Sequence, residues 1–316
     1  MKATVITGAA GFIGHALAHH LAREGHQLCL IDDFSSGKRR TVSGHLPITH
    51  CDIRNPSDLD QALPGEIEIV YHCAAQSSGE ISFDDPWDDL TRHVHATFHL
   101  LAAAKQRSAD RFVYTSSMAV YGEPQKIPIK ESAATNPQSF YGAGKLAAES
   151  YVRLFQNLGL STTIVRPFSI YGASQDLGNL RQGMISIFMS QLLYSGRISV
   201  KGSLERFRDF VHIEDAITAI RLLGEEATAD GQAVNLCTET PTRVRDILAA
   251  IIAAAGASWD EIEILPPTPG DQFGIAGSNE LLLDLTGWIP RWSVSAGIAD
   301  MWSSISSNHP NPPGQS

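Results

Sequence analysis

The stretch "TGAAGFIG", Thr7 to Gly14, sets three glycines in a G-x-x-G-x-x-G spacing between two patterned segments. Before it runs the short apolar "ATVIT"; after its first glycines comes "FIGHALAHHLAREG", where Phe12, Ala16, Leu17 and Leu21 recur at helical spacing until Gly25. The glycines therefore occupy a strand-to-helix turn. Glycine lets such a turn close tightly and approach a pyrophosphate, which then rests on the exposed amides of the helix N-terminus. Asp32 closes the next apolar run, "HQLCLID", eighteen residues after Gly14, with Asp33 following it. An acid there can accept hydrogen bonds from adenosine ribose hydroxyls. A glycine triplet by itself is weak, and a ligand-free turn is its bland alternative. Strand, helix and acid together favour a dinucleotide site. The charge of Asp32 opposes a 2′-phosphate and so favours NAD over NADP, with Lys38, Arg39 and Arg40 read as a solvated loop.

Outward from this turn the pattern repeats. "PITHCDI", "EIEIVYHCAA", "RFVYTSS" and "STTIVRPF" read as further strands, with helical segments at Pro86 to Lys105 and Gly142 to Leu158. Near-continuous apolar strands alternating with helices predict a parallel sheet covered on both faces, a Rossmann-type doubly wound α/β fold. The expected organisation is a cofactor-binding domain over residues 1–171, to which residues of about 206–240 return. Residues 172–305 form a smaller, mixed α/β substrate-binding region. Within it 172–205 reads as loop-rich, and "TPTRVRDILAAIIAAAG" as a helix capped by Thr240 or Thr242. Residues 306–316 lack apolar patterning and read as a disordered tail.

Composition excludes several classes. The chain has 316 residues, 43% hydrophobic and 18% charged, as expected of a globular protein with a large core. A net charge of −10 argues against sequence-independent nucleic-acid binding. No run approaches a membrane span, and the start does not read as a signal peptide. Cys29, Cys51, Cys73 and Cys237 are scattered and fit buried free thiols in a reducing, cytoplasmic setting. The histidines, including "HVHATFH", lack zinc-helix spacing, so no metal site is expected and most read as solvated or capping residues.

Two later stretches hold candidate chemistry. "TSSMAVYG" spans Thr115 to Gly122, and "YGAGK" puts Tyr141 and Lys145 one helical turn apart. A phenol with a pKa of about 10 is a poor base at neutral pH, so Tyr141 needs help. An ammonium one turn away and a positively charged nicotinamide would both favour the phenolate. A core tyrosine beside a surface lysine is the alternative.

With these motifs the chain resembles the extended short-chain dehydrogenases/reductases, in the branch of NAD-dependent nucleotide-sugar epimerases and dehydratases. Within that branch it is most similar to the UDP-glucose 4-epimerase type. The likeness runs from about Lys2 to about Trp292 through "TGAAGFIG", "IDDFSSG", "CDIRN", "VYHCAAQSS", "TSSMAVYG", "YGAGK", "VRPFSIYG" and "RDFVHIEDA". It implies Tyr141 as acid/base, Lys145 as the holder of the nicotinamide ribose, and Ser117 as a partner of the reacting sugar hydroxyl. It also implies pyrophosphate contacts from Gly8, Gly11, Phe12, Ile13 and Gly14, and adenine contacts from Asp52 and Ile53. Ala74, Ala75, Thr115 and Pro167 would line the cofactor. Ser77, Ser169 and Arg208 would face the substrate, Arg208 on its diphosphate, although Arg208 could instead pair with Asp209. A homodimer through the helices near 90–105 and 142–158 is implied as well.

Several positions depart from the family pattern. His93 stands where an asparagine is usual, Ser169 likewise, and Thr268 replaces a second diphosphate arginine that Arg181, Arg197 or Arg206 could substitute. Glu80 lies in an uncommon loop beside the sugar pocket. Where dehydratases and decarboxylases carry acids after the active-site hydroxyl, this chain has Met118 and Ala119, which cannot move a proton. The implied reaction is therefore 4-epimerisation of a nucleotide sugar through a transient 4-keto form, with hydride passing to and from bound NAD. A 4-ketoreductase consuming NAD(P)H, or a silent NAD-binding scaffold, are the alternatives.

Overall fold

The computed structural model describes residues 2–37, 41–266 and 273–308. Lys38 to Arg40, Thr268 and the tail beyond 308 lie outside the described residues. Runs rich in Val, Ile and Leu form the strands, as β-branched and aliphatic side chains pack well on a pleated surface. In chain order they are β1 (Ala3–Thr7), β2 (Leu28–Asp32), the hairpin pair β3 (Thr41–Val42) and β4 (Leu46–Pro47), β5 (Thr49–His50), β6 (Ile67–His72), β7 (Arg111–Thr115) and β8 (Thr162–Pro167). Then follow β9 (Ser169–Tyr171), β10 (Ile198–Lys201), β11 (Phe207–His212), β12 (Ala233–Leu236), β13 (Pro241–Arg243), β14 (Ile262–Leu265) and β15 (Gly274–Ile275).

The helices are α1 (Phe12–Arg23), α2 (Pro56–Ala62), α3 (Pro86–Leu90), α4 (Ala96–Gln106), α5 (Phe140–Asn157) and α6 (Met184–Ser195). They continue with α7 (Ile213–Glu225), α8 (Val244–Ala255), α9 (Glu280–Thr286) and α10 (Val294–Asn308). A π-helical turn, Thr91–His95, joins α3 to α4.

Seven strands pair in the order β12-β8-β7-β6-β1-β2-β5, all parallel. Alternate side chains point to opposite faces. Ile6, Tyr71 and Val113 pack under α1 and α7 with Leu17, Leu21 and Ile217, while Val5, Val70 and Phe112 pack with Leu59, Leu100 and Val152 of α2, α4 and α5. This is the doubly wound Rossmann-type architecture. The chain leaves β1 in one direction through β2 and β5 and in the other through β6, β7 and β8. A crevice therefore opens at the carboxyl ends of β1 and β6, the topological switch point where ligands bind in such sheets.

A second core gathers α6, α8 and α10 around β10 and β11 through Ile185, Met189, Ile247, Ile251, Ile298 and Met301. Strand β11 pairs with β9, β13 and β15 in a smaller sheet, whereas α7 and β12 join the main sheet. Of residues 206–240, the first strand thus belongs to the smaller sheet and the rest return to the larger one.

Three local expectations are corrected. Residues 172–205 hold a full helix, α6, between Gly183 and Gly196, and Gly196 ends it in the left-handed region at φ +67°. Pro241–Arg243 pairs antiparallel with β11, so α8 begins only at Val244, and neither Thr240 nor Thr242 caps it. Helix α10 runs to Asn308, so residues 306–308 are its last turn and not tail. No helix among the described residues is long and apolar enough to cross a membrane.

Candidate active site

A cleft of about 630 Å³ lies at the switch point and is floored by the glycine turn. Gly8 adopts φ +69°, and a Cβ on it would sit 2.7 Å from the Ala74 amide nitrogen. A Cβ on Gly14 would strike the Gly8 carbonyl oxygen. Both positions thus exclude side chains, and β1, β6 and α1 meet closely because of it. Gly11 caps α1 with extended backbone and no capping side chain, while its N–H donates to the Gly8 carbonyl at 3.0 Å. The first-turn amides of Phe12, Ile13 and Gly14 follow at the cleft wall. Such a turn favours an anion by its dipole and its unpaired N–H groups.

At the far end of the cleft stand Asp32, Asp33, Asp52 and Ile53. The Asp32 carboxylate accepts from the Ala10 amide at 3.0 Å and the Phe34 amide at 2.7 Å, so it ties the glycine turn to the loop after β2. Asp52 is bonded by Arg54 at 2.8–3.1 Å, and these bonds hold its carboxyl below the ordinary range. Arg54 also donates to Asp88 at 3.1 Å; Arg92 bridges Asp88 at 2.6 Å and Asp33 at 3.1 Å. This ladder of alternating charge was missed in the sequence. Its only local signal is the four-residue spacing of Asp88 and Arg92.

Cys73, Ala74 and Ala75 close the opposite end. Thr115 Oγ1 lies 3.6 Å from Cys73 Sγ, so the carboxyl end of β7 stands directly beyond the cleft. Here Lys145 is buried and its Nζ donates to the Thr115 carbonyl at 2.7 Å. Burial brings the ammonium down to about 8. Ser117 caps a short helical turn, Met118–Val120, by accepting from the Ala119 amide at 3.1 Å, and its hydroxyl lies near the Tyr141 phenol. Thr115, Ser117, Tyr141 and Lys145 are not part of the cleft lining; they lie beyond Cys73, at the carboxyl end of β7. The expected lowering of the Tyr141 pKa by Lys145 is not what dominates. Burial pushes the phenol up, and the nearby Ser117 hydroxyl opposes that shift.

A directional chain of buried hydrogen bonds underlies both ends. The Ala74 amide donates to Thr7 Oγ1 at 3.1 Å, and that hydroxyl meets His72 Nδ1 at 2.7 Å. His72 Nε2 meets Thr97 Oγ1 at 3.0 Å, and Thr97 donates to the His93 carbonyl at 2.5 Å. Because Thr97 donates onward, His72 carries its proton on Nε2; burial holds the ring well below its ordinary pKa and hence neutral. His72, His93 and His212 are buried, whereas the other described histidines are partly or fully exposed, in keeping with the expectation for most of them.

A strap crosses the cleft mouth. Residues Ser174 to Asn179 and Gln182 line one side, and Gln182 Nε2 donates to Ser77 Oγ at 2.6 Å. Ser78 Oγ donates to the Arg181 carbonyl at 2.8 Å, and Arg181 pairs with Glu80 at 3.1 Å and Asp84 at 2.5 Å. Arg181 and Glu80 are thus engaged with each other.

Pro167, Ser169 and Arg208 stand outside the cleft lining. Pro167 ends β8 beside Leu236, and Ser169 begins β9 opposite Phe210. Arg208 is buried and donates to the Phe207 carbonyl at 2.8 Å. Asp209 does not pair with it but accepts from Thr238 at 2.7 and 2.8 Å. Burial, and to a lesser extent the Arg206 guanidinium, brings Arg208 down to about 10. Of the three candidate cations, Arg206 is the one whose charge bears on Arg208.

The glycine cradle, the amides of α1 and the acids beyond β2 fit a dinucleotide from pyrophosphate to adenosine. Comparison with known proteins agrees. The model of the NAD-dependent epimerase/dehydratase family matches residues 4–237. A UDP-glucose 4-epimerase of Mycolicibacterium smegmatis is 34% identical over 94% of this chain and 96% of its own. The crystal structure of a UDP-glucose 4-epimerase with UDP-glucose from Thermotoga maritima superposes with a TM-score of 0.91 at 26% identity, covering 98% of this chain and all of its own. A UDP-glucose 4-epimerase of Thermus thermophilus in complex with NAD gives 0.87 at 28% identity, over 96% and 99%. On its glycine cradle, its sheet order and this match over most of its length, the chain belongs to the NAD-dependent epimerase/dehydratase family.

Proposed function

We propose that the chain is a nucleotide-sugar 4-epimerase that takes a UDP-sugar and keeps NAD bound in the cleft. The observation that carries this reading is the grouping of Ser117, Tyr141 and Lys145 just beyond Cys73, next to Met118 and Ala119. The phenol and the Ser117 hydroxyl together would grip the sugar O4. Tyr141 takes the O4 proton as C4 is oxidised and returns it when the ketone is reduced. Lys145 uses one N–H on Thr115 and has two left for ribose hydroxyls. Bound NAD supplies the acceptor and then the donor of the C4 hydride. Between the two half-reactions the 4-keto sugar must turn over in its pocket while Arg208 and Arg206 hold its diphosphate. Without an acid at positions 118 and 119, Tyr141 has no helper for elimination of water or loss of a carboxylate.

Exposed Trp87, Leu90, Phe98, Tyr151, Leu154 and Leu158 line the outer faces of α3, α4 and α5, with Phe98 and Tyr151 in ring contact at 5.9 Å. This apolar stripe supports pairing with a second copy. Four free thiols support a reducing, cytoplasmic setting, with burial pushing Cys29 and Cys73 up to about 11.

The test is to incubate purified protein with UDP-galactose and no added reductant. UDP-glucose should form, and Tyr141→Phe should slow it by at least about a hundredfold. Turnover that instead requires stoichiometric NADPH would make the protein a ketoreductase.

A further inference from the structure

The residue that departs most from the family pattern near the catalytic set is His93. The π-helical turn Thr91–His95 swings its side chain inward, leaving it 1% exposed. There the imidazole meets the Tyr141 ring edge-on, with centroids 5.3 Å apart and planes at 72°. Gly144 makes room for it: a Cβ at that position would lie 3.1–3.3 Å from three atoms of the His93 side chain. On the other side His93 Nε2 faces Asp89 Oδ1 at 3.4 Å, one turn earlier, and Asp89 is 2% exposed. Gln76, from the loop after β6, donates to the same Asp89 oxygen at 3.0 Å. The His93 carbonyl receives the last bond of the chain that begins at Ala74. Asp89, held by Gln76, and the buried imidazole of His93, whose Nε2 makes no hydrogen bond, thus stand in line behind the phenol.

We propose that Asp89 and His93 are a positioning pair for Tyr141, the carboxylate fixing the imidazole and the imidazole edge fixing the phenol against Ser117. No proton passes through the pair to substrate. Burial holds His93 below its ordinary pKa in spite of Asp89, so the ring contact is made by a neutral imidazole. Asp89 has a second effect, because its negative charge opposes formation of the phenolate. The other titratable and polar groups facing these two rings are Arg92 on the same helical segment, Lys145 on α5, His72 on β6, Tyr114 on β7 and Ser117 after β7. Ser117 favours the phenolate, Asp89 disfavours it, and the tyrosine works between them.

The kinetic arm of the test rests on the proposed epimerase reaction; the spectroscopic arm does not. In the spectroscopic arm the ultraviolet titration of tyrosinate is recorded for the protein and for its Tyr141→Phe variant, and the difference isolates Tyr141. Asp89→Asn, nearly isosteric and still able to accept from Gln76, should move that titration to lower pH by about half a unit or more. In the kinetic arm His93→Leu should cut kcat about tenfold with KM within about twofold, and His93→Phe should restore most of the loss. If His93→Leu fails to fold by circular dichroism, His93→Gln takes its place with the same expected loss. The proposal is overturned by an unmoved Tyr141 titration in Asp89→Asn, or by a His93 variant that keeps full kcat. A wild-type chain with no epimerase activity but a shifted titration would refute the reaction and leave the pair standing.

Discussion

Arg166→Met probes how the catalytic loop is held. Arg166, on β8, and Glu149, on α5, are 3% and 1% exposed and form a two-pronged pair at 2.6 and 2.9 Å. Ser116, next to the proposed catalytic serine, donates to the same carboxylate at 2.6 Å, and Arg166 donates to the Tyr121 hydroxyl at 2.9 Å. Both flanks of "TSSMAVYG" therefore hang on one buried ion pair. Methionine would keep most of the volume but leave Glu149 buried with only the half-exposed Arg153, 3.7 Å away, as a cation. Breaking a buried pair in this way costs about 3–5 kcal/mol. That is a large share of the ~5–15 kcal/mol that holds a protein folded, and it lowers the melting temperature by roughly 6–20 °C at ~2–4 °C per kcal/mol.

Urea and thermal melts of both proteins at equal NAD concentration measure the gap. The double variant Arg166→Met/Glu149→Leu should recover most of the stability, since the buried charge is gone. A deficit below about 1 kcal/mol, or a double variant as weak as the single one, would refute the idea that this pair braces the loop.

Three further outcomes are expected. Gly14→Ala drives a Cβ into the Gly8 carbonyl and should leave purified protein without the NAD that wild type releases on denaturation. Activity should fall on the alkaline side as Lys145 loses its proton near pH 8, and Lys145→Arg should move that limb upward. Because this pKa lies below the ordinary 10.5, charging Lys145 costs the fold stability at neutral pH. That cost is relieved as pH rises from about 8 to 10.5, so wild type should gain on Lys145→Met across that window. Arg208→Met should raise the KM for a UDP-sugar about 10- to 100-fold, through loss of a charge-assisted bond worth roughly 1.5–3 kcal/mol, with NAD retention unchanged.

The features legible in the sequence were those that a short window contains. The turn at Gly8 to Gly14, the acid at Asp32 and the Tyr141–Lys145 spacing are all local, and local geometry dictates each. What escaped depends on partners far away in the chain. Pro241–Arg243 could have opened a helix, but β11 recruits it as a strand. Gly183 and Gly196 lie in a segment that reads as loop-rich, yet they are the two ends of α6. The ladder from Asp52 to Asp33 and the grouping of Asp89, His93 and Tyr141 assemble from separate segments, and the π turn that aims His93 inward breaks the periodicity a helix reading relies on.

The strap over the cleft mouth bears on time as well as affinity. Ser77 and Ser78 on one side and Arg181 and Gln182 on the other are joined by hydrogen bonds, with two ion pairs outside them. The seam bridges one side of the cleft mouth, so a dinucleotide seated beneath it meets a barrier on that side that holds while the seam is joined. Such a protein can carry one cofactor molecule through many turnovers even where free NAD is scarce. Raised ionic strength, which weakens the two outer pairs, would shorten that tenure.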